Sequence, residues 1–402
     1  MILFISQVYI PDPASLGQHM ADLAQSAEKS GKKISVITSN RGYENTSLKY
    51  PSHETLHGIH IRRFKYCSFG KKNIFYRVLG GLSFLFQSFF YIQKHARNIE
   101  KIIVSTSPPF AGVLGWFFKK TRGIPFLYWV MDINPDQAVA SGAVKKNALS
   151  VSLFNFFQTC ILTQANQTVV LDRYMHQTLL QKKPKTPRIC VLPPWPHHIP
   201  QRLLPPSQSL FRQKLGLLPH QKILMFSGNL SQVSPITTWI EAGIALPPES
   251  NLVFIVAGGG NGRATLQHLV QGFQKRFMLL PYQPLETLED TLSCADAHMV
   301  SLGDNMVGIN HPCKIYGALA VGRPILYLGP LQSHIGDILE KHPIGWHCNH
   351  GDIENAKKIL LQIEHMPQEA LASMGSKAYE VASSVYHKEI LLNKMTSMVC
   401  SY

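Results

Sequence analysis

Between residues 193 and 206 the chain reads Pro-Pro-Trp-Pro-His-His-Ile-Pro-Gln-Arg-Leu-Leu-Pro-Pro, six prolines in fourteen residues. Such a segment lacks the backbone donors a sheet requires and is stiff, so it divides the chain. On both sides short apolar runs alternate with amphipathic stretches, the pattern of consecutive βα units on a parallel sheet. Before it, Ile2–Ser6, Ile34–Thr38, Ile59–Phe64, Ile102–Ser105, Phe126–Val130, Thr168–Leu171 and Ile189–Leu192 read as strands. After it come Ile223–Ser227, Leu252–Val256, Phe277–Leu280, Ala297–Ser301 and Pro324–Leu328. The fold class is therefore α/β with two Rossmann-like domains. A length of 402 residues, too great for one ordinary core, agrees. The expected boundaries are 1–195 for the first domain, 196–206 for the linker and 207–385 for the second domain. A helix over about 386–402 is expected to cross back to the first domain, since the tail from Glu369 has few breakers.

The formal net charge of +15 calls for an anionic partner. Charged residues are only 16% of the chain, and the imbalance comes from scarce acids, 24 Asp plus Glu. Without basic runs interleaved with aromatics, nucleic acid is not the expected partner. A membrane surface or an anionic small molecule fits better. The seven scattered cysteines form no CxxC and suggest neither a disulfide framework nor a zinc site, which implies a reducing compartment. No DxD pair stands out either, so no metal or other cofactor is expected. Met1 to Ser6 lacks the basic start and cleavage site of a leader and reads as a first buried strand.

The most informative stretch is Asp304 to Pro330. A strand ends at Ser301, a loop leads to Pro312, and an apolar helix containing Ile315 and Leu319 stops at Gly322. This puts Asn310 or His311 at the N-cap and Lys314 in the first turn, where a helix N-terminus and a full positive charge could cradle a phosphate. A plain β-loop-α unit with one solvated lysine has the same local sequence. Asp132 and Asp136, in Met131-Asp-Ile-Asn-Pro-Asp136, follow the strand Phe126–Val130 at the end where open α/β sheets bind ligands. An Asx turn with an N-cap is the bland account. Gly17 opens a helix in the first βα turn. Ala257-Gly-Gly-Gly-Asn-Gly-Arg263 is rich in glycine but matches neither the P-loop nor a dinucleotide fingerprint. Val78–Ile92 contains no charge and is flanked by Lys71, Lys72, Arg77, Lys94 and Arg97. At 15 residues it falls short of the ~20 needed to span a bilayer. It is either a buried helix or one that dips into an anionic membrane interface.

Taken together, Phe226-Ser-Gly-Asn229, Ala257-Gly-Gly-Gly260, Leu280-Pro-Tyr-Gln-Pro284, and His311-Pro-Cys-Lys-Ile-Tyr316 through Gly322-Arg-Pro324 resemble family 4 retaining glycosyltransferases of GT-B fold. The nearest subgroup builds bacterial O-antigen, colanic-acid and exopolysaccharide chains. Asp132-Ile-Asn-Pro-Asp136 and Val191-Leu-Pro-Pro-Trp195 are similar to its first-half motifs, so the resemblance covers the whole chain. It implies two domains facing across a cleft. The expected reaction is transfer of a sugar from a nucleotide-sugar, usually UDP-linked, to a lipid-linked or saccharide acceptor in surface polysaccharide biosynthesis. On this resemblance Gly17, Gly228, Asn229, Gly258, Gly259, Tyr282, Pro284, Asn310, His311, Pro312, Cys313 and Lys314 surround the donor. Lys314 neutralises the leaving diphosphate, Asp132 is nearest the attacking hydroxyl, and Asp136 lies on the acceptor side. The expected location is cytoplasmic, peripherally on the inner face of the plasma membrane. The sequence departs from the family pattern at several places, and the arginine and lysine usual in the loop after Gly228 are missing, with Ser231 and Ser234 nearby. Two glutamates common in the family correspond to Ile309 and Gly317, and the histidine usual before the aspartate is Met131. The rival expectation is a non-catalytic GT-B protein that binds a nucleotide or sugar within a polysaccharide assembly complex.

Overall fold

The computed structural model describes residues 1–42, 46–69, 74–182, 184–185 and 188–401. Two compact units emerge, Met1–Pro194 together with the chain from Glu389 onward, and Trp195–Lys388. Each is built on one sheet. In the first unit the strands are β1 (Ile2–Ile5), β2 (Ile34–Ser39), β3 (His53–Leu56), β4 (Ile59–Phe64), β5 (Lys101–Ser105), β6 (Phe126–Trp129), β7 (Gln167–Val170) and β8 (Ile189–Val191). Their order is β3-β4-β2-β1-β5-β6-β7-β8, parallel except for the β3–β4 pair. The second unit holds β9 (Lys222–Ser227), β10 (Leu252–Ala257), β11 (Phe277–Leu280), β12 (Ala297–Ser301), β13 (Ile325–Leu328) and β14 (Gly345–Cys348), ordered β11-β10-β9-β12-β13-β14 and all parallel.

The apolar runs became strands because parallel strands covered on both faces must be apolar throughout. β1, β2, β5, β6, β10, β12 and β13 are buried at every position. β3 escaped the sequence reading for the opposite reason. It is a half-exposed edge strand, His-Glu-Thr-Leu, tied to β4 by a two-residue turn in which His57 and Gly58 both have positive φ, 50° and 76°. That is the turn geometry that suits a right-twisted hairpin.

Each sheet has one point where consecutive connections leave in opposite directions. In the first it lies between β1 and β5, and in the second between β9 and β12. Crevices at the carboxyl ends of such strands are where open α/β sheets take ligands. The last helix, Lys388–Cys400, packs on the first unit, where Thr396 Oγ1 donates to Ser26 Oγ at 2.8 Å.

Helix Ile74–His95 settles what Val78–Ile92 does. Gly80, Gly81, Phe84, Ser88 and Ile92 are buried, a stripe one residue wide repeating every turn. Phe75, Val78, Leu79, Leu82, Phe86 and Phe90 are exposed, Phe86 by 65%. The two glycines explain the narrowness: at Gly80 an added Cβ would stand 2.8 Å from the Cys67 carbonyl oxygen, so the helix backbone itself is pressed on the unit. The stretch is thus neither wholly core nor wholly solvent-facing. The flanking Lys71 and Lys72 lie outside the described residues. Among the described residues no helix is long and apolar enough to cross a membrane.

Candidate active site

At the switch point of the second sheet, Phe226 lies near the end of β9 and Gly228 just beyond it, and the chain after β12 returns through Asn310 to Lys314. The Lys314 stem is half-buried, but its ammonium is buried and has no hydrogen-bond acceptor among the described residues. Nζ lies 3.8 Å from the centroid of the Phe226 ring, a cation–π contact that offsets part of the lost hydration. Burial pulls its pKa down from 10.5 to about 7. Gly228 adopts φ 140°, and a Cβ built there would sit 3.6 Å from Lys314 Nζ. The glycine therefore leaves the ammonium against bare backbone, where a ligand anion can approach it.

Three loops are joined around this point. Gly258, at φ 147°, lies so close to the first loop that a Cβ would fall 1.9 Å from the Gly228 carbonyl oxygen. The Leu230 N–H donates to Gly259 O at 2.7 Å, and the Gly258 N–H donates to Leu280 O at 3.0 Å. Tyr282 lies beside Gly259, where an added Cβ would come 3.0 Å from its Cε2. Arg263, the cation of the glycine cluster, faces inward. Its guanidinium donates to Gly258 O at 2.7 Å, Leu280 O at 2.8 Å and Leu279 O at 3.2 Å. It fixes the loop and is not aimed at a phosphate. Asn229, Tyr282 and Pro284 are exposed.

The helix after the loop starts later than Pro312 suggests, running Lys314–Ala320 with Cys313 before it and no side-chain cap. Asn310 and His311 therefore do not cap it. The reason is a tight turn: the Cys313 N–H donates to His311 O at 2.9 Å, Ile315 to Pro312 O at 3.2 Å and Tyr316 to Cys313 O at 3.2 Å. Those N–H groups are already engaged, so the positive feature here is the lysine ammonium more than the helix end. His311 is buried and does different work. Its Nε2 pairs with Tyr316 Oη at 2.8 Å, and Tyr316 Oη pairs with His334 Nε2 at 3.0 Å. Tyr386 closes edge-on against Tyr316, ring centroids 4.9 Å apart. This packed His–Tyr–His chain underlies the Lys314 loop. Sequence spacing gave no signal for it, because His334 opens a later helix and Tyr386 lies in the turn before the last one.

Gly17, Asp132 and Asp136 belong to the first unit. Gly17 is buried against the loop after β1, a Cβ there standing 3.1 Å from Tyr9 Cα. Asp132 is half-buried at the end of β6; its N–H donates to Thr106 Oγ1 at 3.3 Å. Asp136 opens the short helix Asp136–Ala140, and its carboxylate is held by Lys182 Nζ at 2.7 Å. Lys182 also donates to Asn155 Oδ1 at 2.8 Å, so Asp136 ties neighbouring helices together. Met131 is buried. Ile309 and Gly317, where the family glutamates would stand, present no carboxylate. Among the described residues no group of three His, Cys, Asp or Glu side chains could hold a metal ion.

No family model matches the chain. Two curated proteins align with most of it. "Probable glycosyltransferase WbjE" of Pseudomonas aeruginosa is 23% identical over 79% of this chain and 80% of its own. "Putative colanic acid biosynthesis glycosyl transferase WcaI" of Escherichia coli strain K12 is 23% identical over 83% of this chain and 84% of its own. Among solved structures, WaaG, a glycosyltransferase involved in lipopolysaccharide biosynthesis, superposes with TM-score 0.75 at 14% identity over 100% of both chains. Anabaena HepE in complex with UDP and glucose gives 0.70 at 16% identity over 100% of this chain and 99% of its own. The fold is GT-B, and with the relatives it defines the chain as a GT-B glycosyltransferase. The non-catalytic binding partner is not favoured.

Proposed function

We propose that the protein moves a sugar from a UDP-linked donor, with retention of configuration, to a lipid-linked or saccharide acceptor in surface polysaccharide synthesis. The observation that carries the reading is the Lys314 ammonium, buried without an acceptor among the described residues, beside Gly228 at the switch point of the second sheet. Negative charge builds on the departing diphosphate during glycosyl transfer, and a preorganised cation in a dry site stabilises it without reorganisation. Lys314 supplies that charge, so the reaction calls on no metal. The backbone around Gly228 and Gly258 admits the diphosphate closely, and Asn229, Tyr282 and Pro284 line the remainder of the donor pocket. HepE, of the same fold, is described in complex with UDP and glucose, which supports a UDP donor. Asp132 is the acceptor-side carboxylate; Asp136 is engaged by Lys182 and serves structure. The exposed apolar face of helix Ile74–His95 sets the enzyme on an anionic membrane surface, where lipid-linked acceptors reside.

The test is calorimetry paired with detection of released nucleoside diphosphate, across UDP-, GDP- and dTDP-sugars, with and without lipid-linked acceptors and chelator. We expect UDP-sugar binding and slow UDP release that chelator does not change. Lys314→Met should lower turnover by about 10²–10³, the usual loss when one transition-state donor is removed. Tight binding with no release, even with acceptors present, would replace the transferase by a binding partner.

A further inference from the structure

Beside the exposed helix lies a groove of about 890 Å³ that the donor site does not use. One wall is the β3–β4 hairpin, with His53, His60 and Arg62; the other is helix Ile74–His95, with Phe86, Phe90 and Lys94. The one carboxylate in the lining, Glu54, is already paired with the buried Arg63 at 2.5 Å. That leaves Arg62 and Lys94 as the groove's uncompensated charges, and the three imidazoles of His53, His60 and His95 add hydrogen-bonding capacity. Arg62 lies against the His53 ring, which holds the guanidinium in place.

The rim is apolar. Phe86 and Phe90 are 65% and 54% exposed and pack edge to face, their centroids 4.7 Å apart. Beyond Phe90 a second groove of about 530 Å³ is lined by Phe89, Phe117 and Arg122. The helix thus forms an apolar ridge between two grooves that both contain cations. A contiguous exposed apolar patch of this kind marks an interaction surface. Phenylalanines at the crest with Lys and Arg at the flanks are the arrangement of a helix lying in a bilayer interface. An excess of fifteen positive charges over the whole chain complements an anionic leaflet.

We propose that the groove between the β3–β4 hairpin and helix Ile74–His95 binds the phosphate-bearing headgroup of an anionic phospholipid, with Phe86 and Phe90 among its acyl chains. The proposal rests on the membrane-surface part of the preceding reading. Arg62 meets the phosphate with a planar donor fork, and Lys94 meets it with a point charge.

The test is co-sedimentation of the full chain with vesicles of phosphatidylcholine alone and of phosphatidylcholine mixed with phosphatidylglycerol. The wild type should bind the mixed vesicles more tightly. Arg62→Gln with Lys94→Gln should lower that affinity about fivefold per charge while keeping the wild-type melting temperature, whereas Lys341→Gln with Lys377→Gln, exposed on the second unit, should change it far less. Phe86→Ser with Phe90→Ser should lose both vesicle types. Soluble glycerol phosphate at millimolar concentration should not displace the protein; displacement would mean a site for free phosphate esters and overturn the lipid assignment. Equal losses from both charge pairs would replace the groove by diffuse attraction. Equal wild-type binding to the two vesicles would remove the headgroup site and leave membrane contact standing. Binding to neither would remove both.

Discussion

Lys314 shows how a residue can be costly to the fold and still suit the site proposed for it. Below about pH 7 the folded protein holds an ammonium with no acceptor among the described residues, and the Phe226 ring offsets part of the loss of water. Between about 7 and the ordinary 10.5 the unfolded chain binds more protons than the folded one, so stability of the unliganded protein rises with pH across that window. Lys314→Met removes the buried charge and keeps the stem. It should therefore stabilise the unliganded protein near neutral pH by about 1–3 kcal/mol and flatten that pH dependence. Thermal and denaturant unfolding from pH 6 to 10 checks this; a less stable variant would show that Lys314 has a partner in solution. The lysine was legible in sequence, from Pro312 and the strand before it. Its partner was not, because Phe226 reads as one more strand residue until the sheet sets β9 beside β12. The N-cap was misread because Pro312 signals a helix start just as well when a tight turn intervenes.

At the scale of elements, the same device appears in both units. Lys101 opens β5 and donates to the carbonyls of Met398 at 2.7 Å, Val399 at 3.1 Å and Ser401 at 3.1 Å. Lys222 opens β9 and donates to Ile363 at 2.8 Å, Glu364 at 2.7 Å and the Met366 carbonyl. Each lysine satisfies the orphan carbonyls at a helix end and meets the negative pole of its dipole. Burial lowers the pKa of both, Lys101 more deeply enclosed than Lys222. Lys101→Met should cost about 1–3 kcal/mol and loosen the helix Lys388–Cys400 from the first unit. Limited proteolysis should then cut after residue 384 sooner than in wild type, and an unchanged digest would deny the cap its role. Strands were read well where both faces are covered, as in β10 and β12, because continuous apolar runs have few other uses. β3 and β14 were missed, being short, mixed in composition and only partly buried. The Ile74–His95 helix was recognised as apolar, but its orientation was not, since the buried stripe rests on Gly80 and Gly81 as much as on Phe84. Phe89, for instance, packs on Phe117 and Phe118 at 5.3 and 5.4 Å, so Phe86 and Phe90 are the pair that reports on the outer face.

For the molecule as a whole, the two proposed binding sites fall in distinct units. The residues proposed to hold the donor, Gly17 apart, belong to the second unit: the ends of β9 and β10, the loop after β11, and the return to Lys314. The exposed apolar helix Ile74–His95 and its groove belong to the first. Because anything that binds only the native state stabilises it by mass action, each ligand should protect its own unit. UDP at about 100 times its Kd should add about 2.7 kcal/mol to the opening free energy of the segments it orders. In hydrogen exchange that protection should fall on 226–230, 258–263, 280–284 and 303–316, with helix Ile74–His95 unaffected. Vesicles containing phosphatidylglycerol should slow exchange in 53–62 and 74–95 and leave the donor loops as they were. If UDP also protected the helix, or vesicles the donor loops, the two sites would be coupled, and membrane arrival would then regulate catalysis as well as location. If the footprints stay separate, lipid binding in the first unit and donor binding in the second are independent of each other.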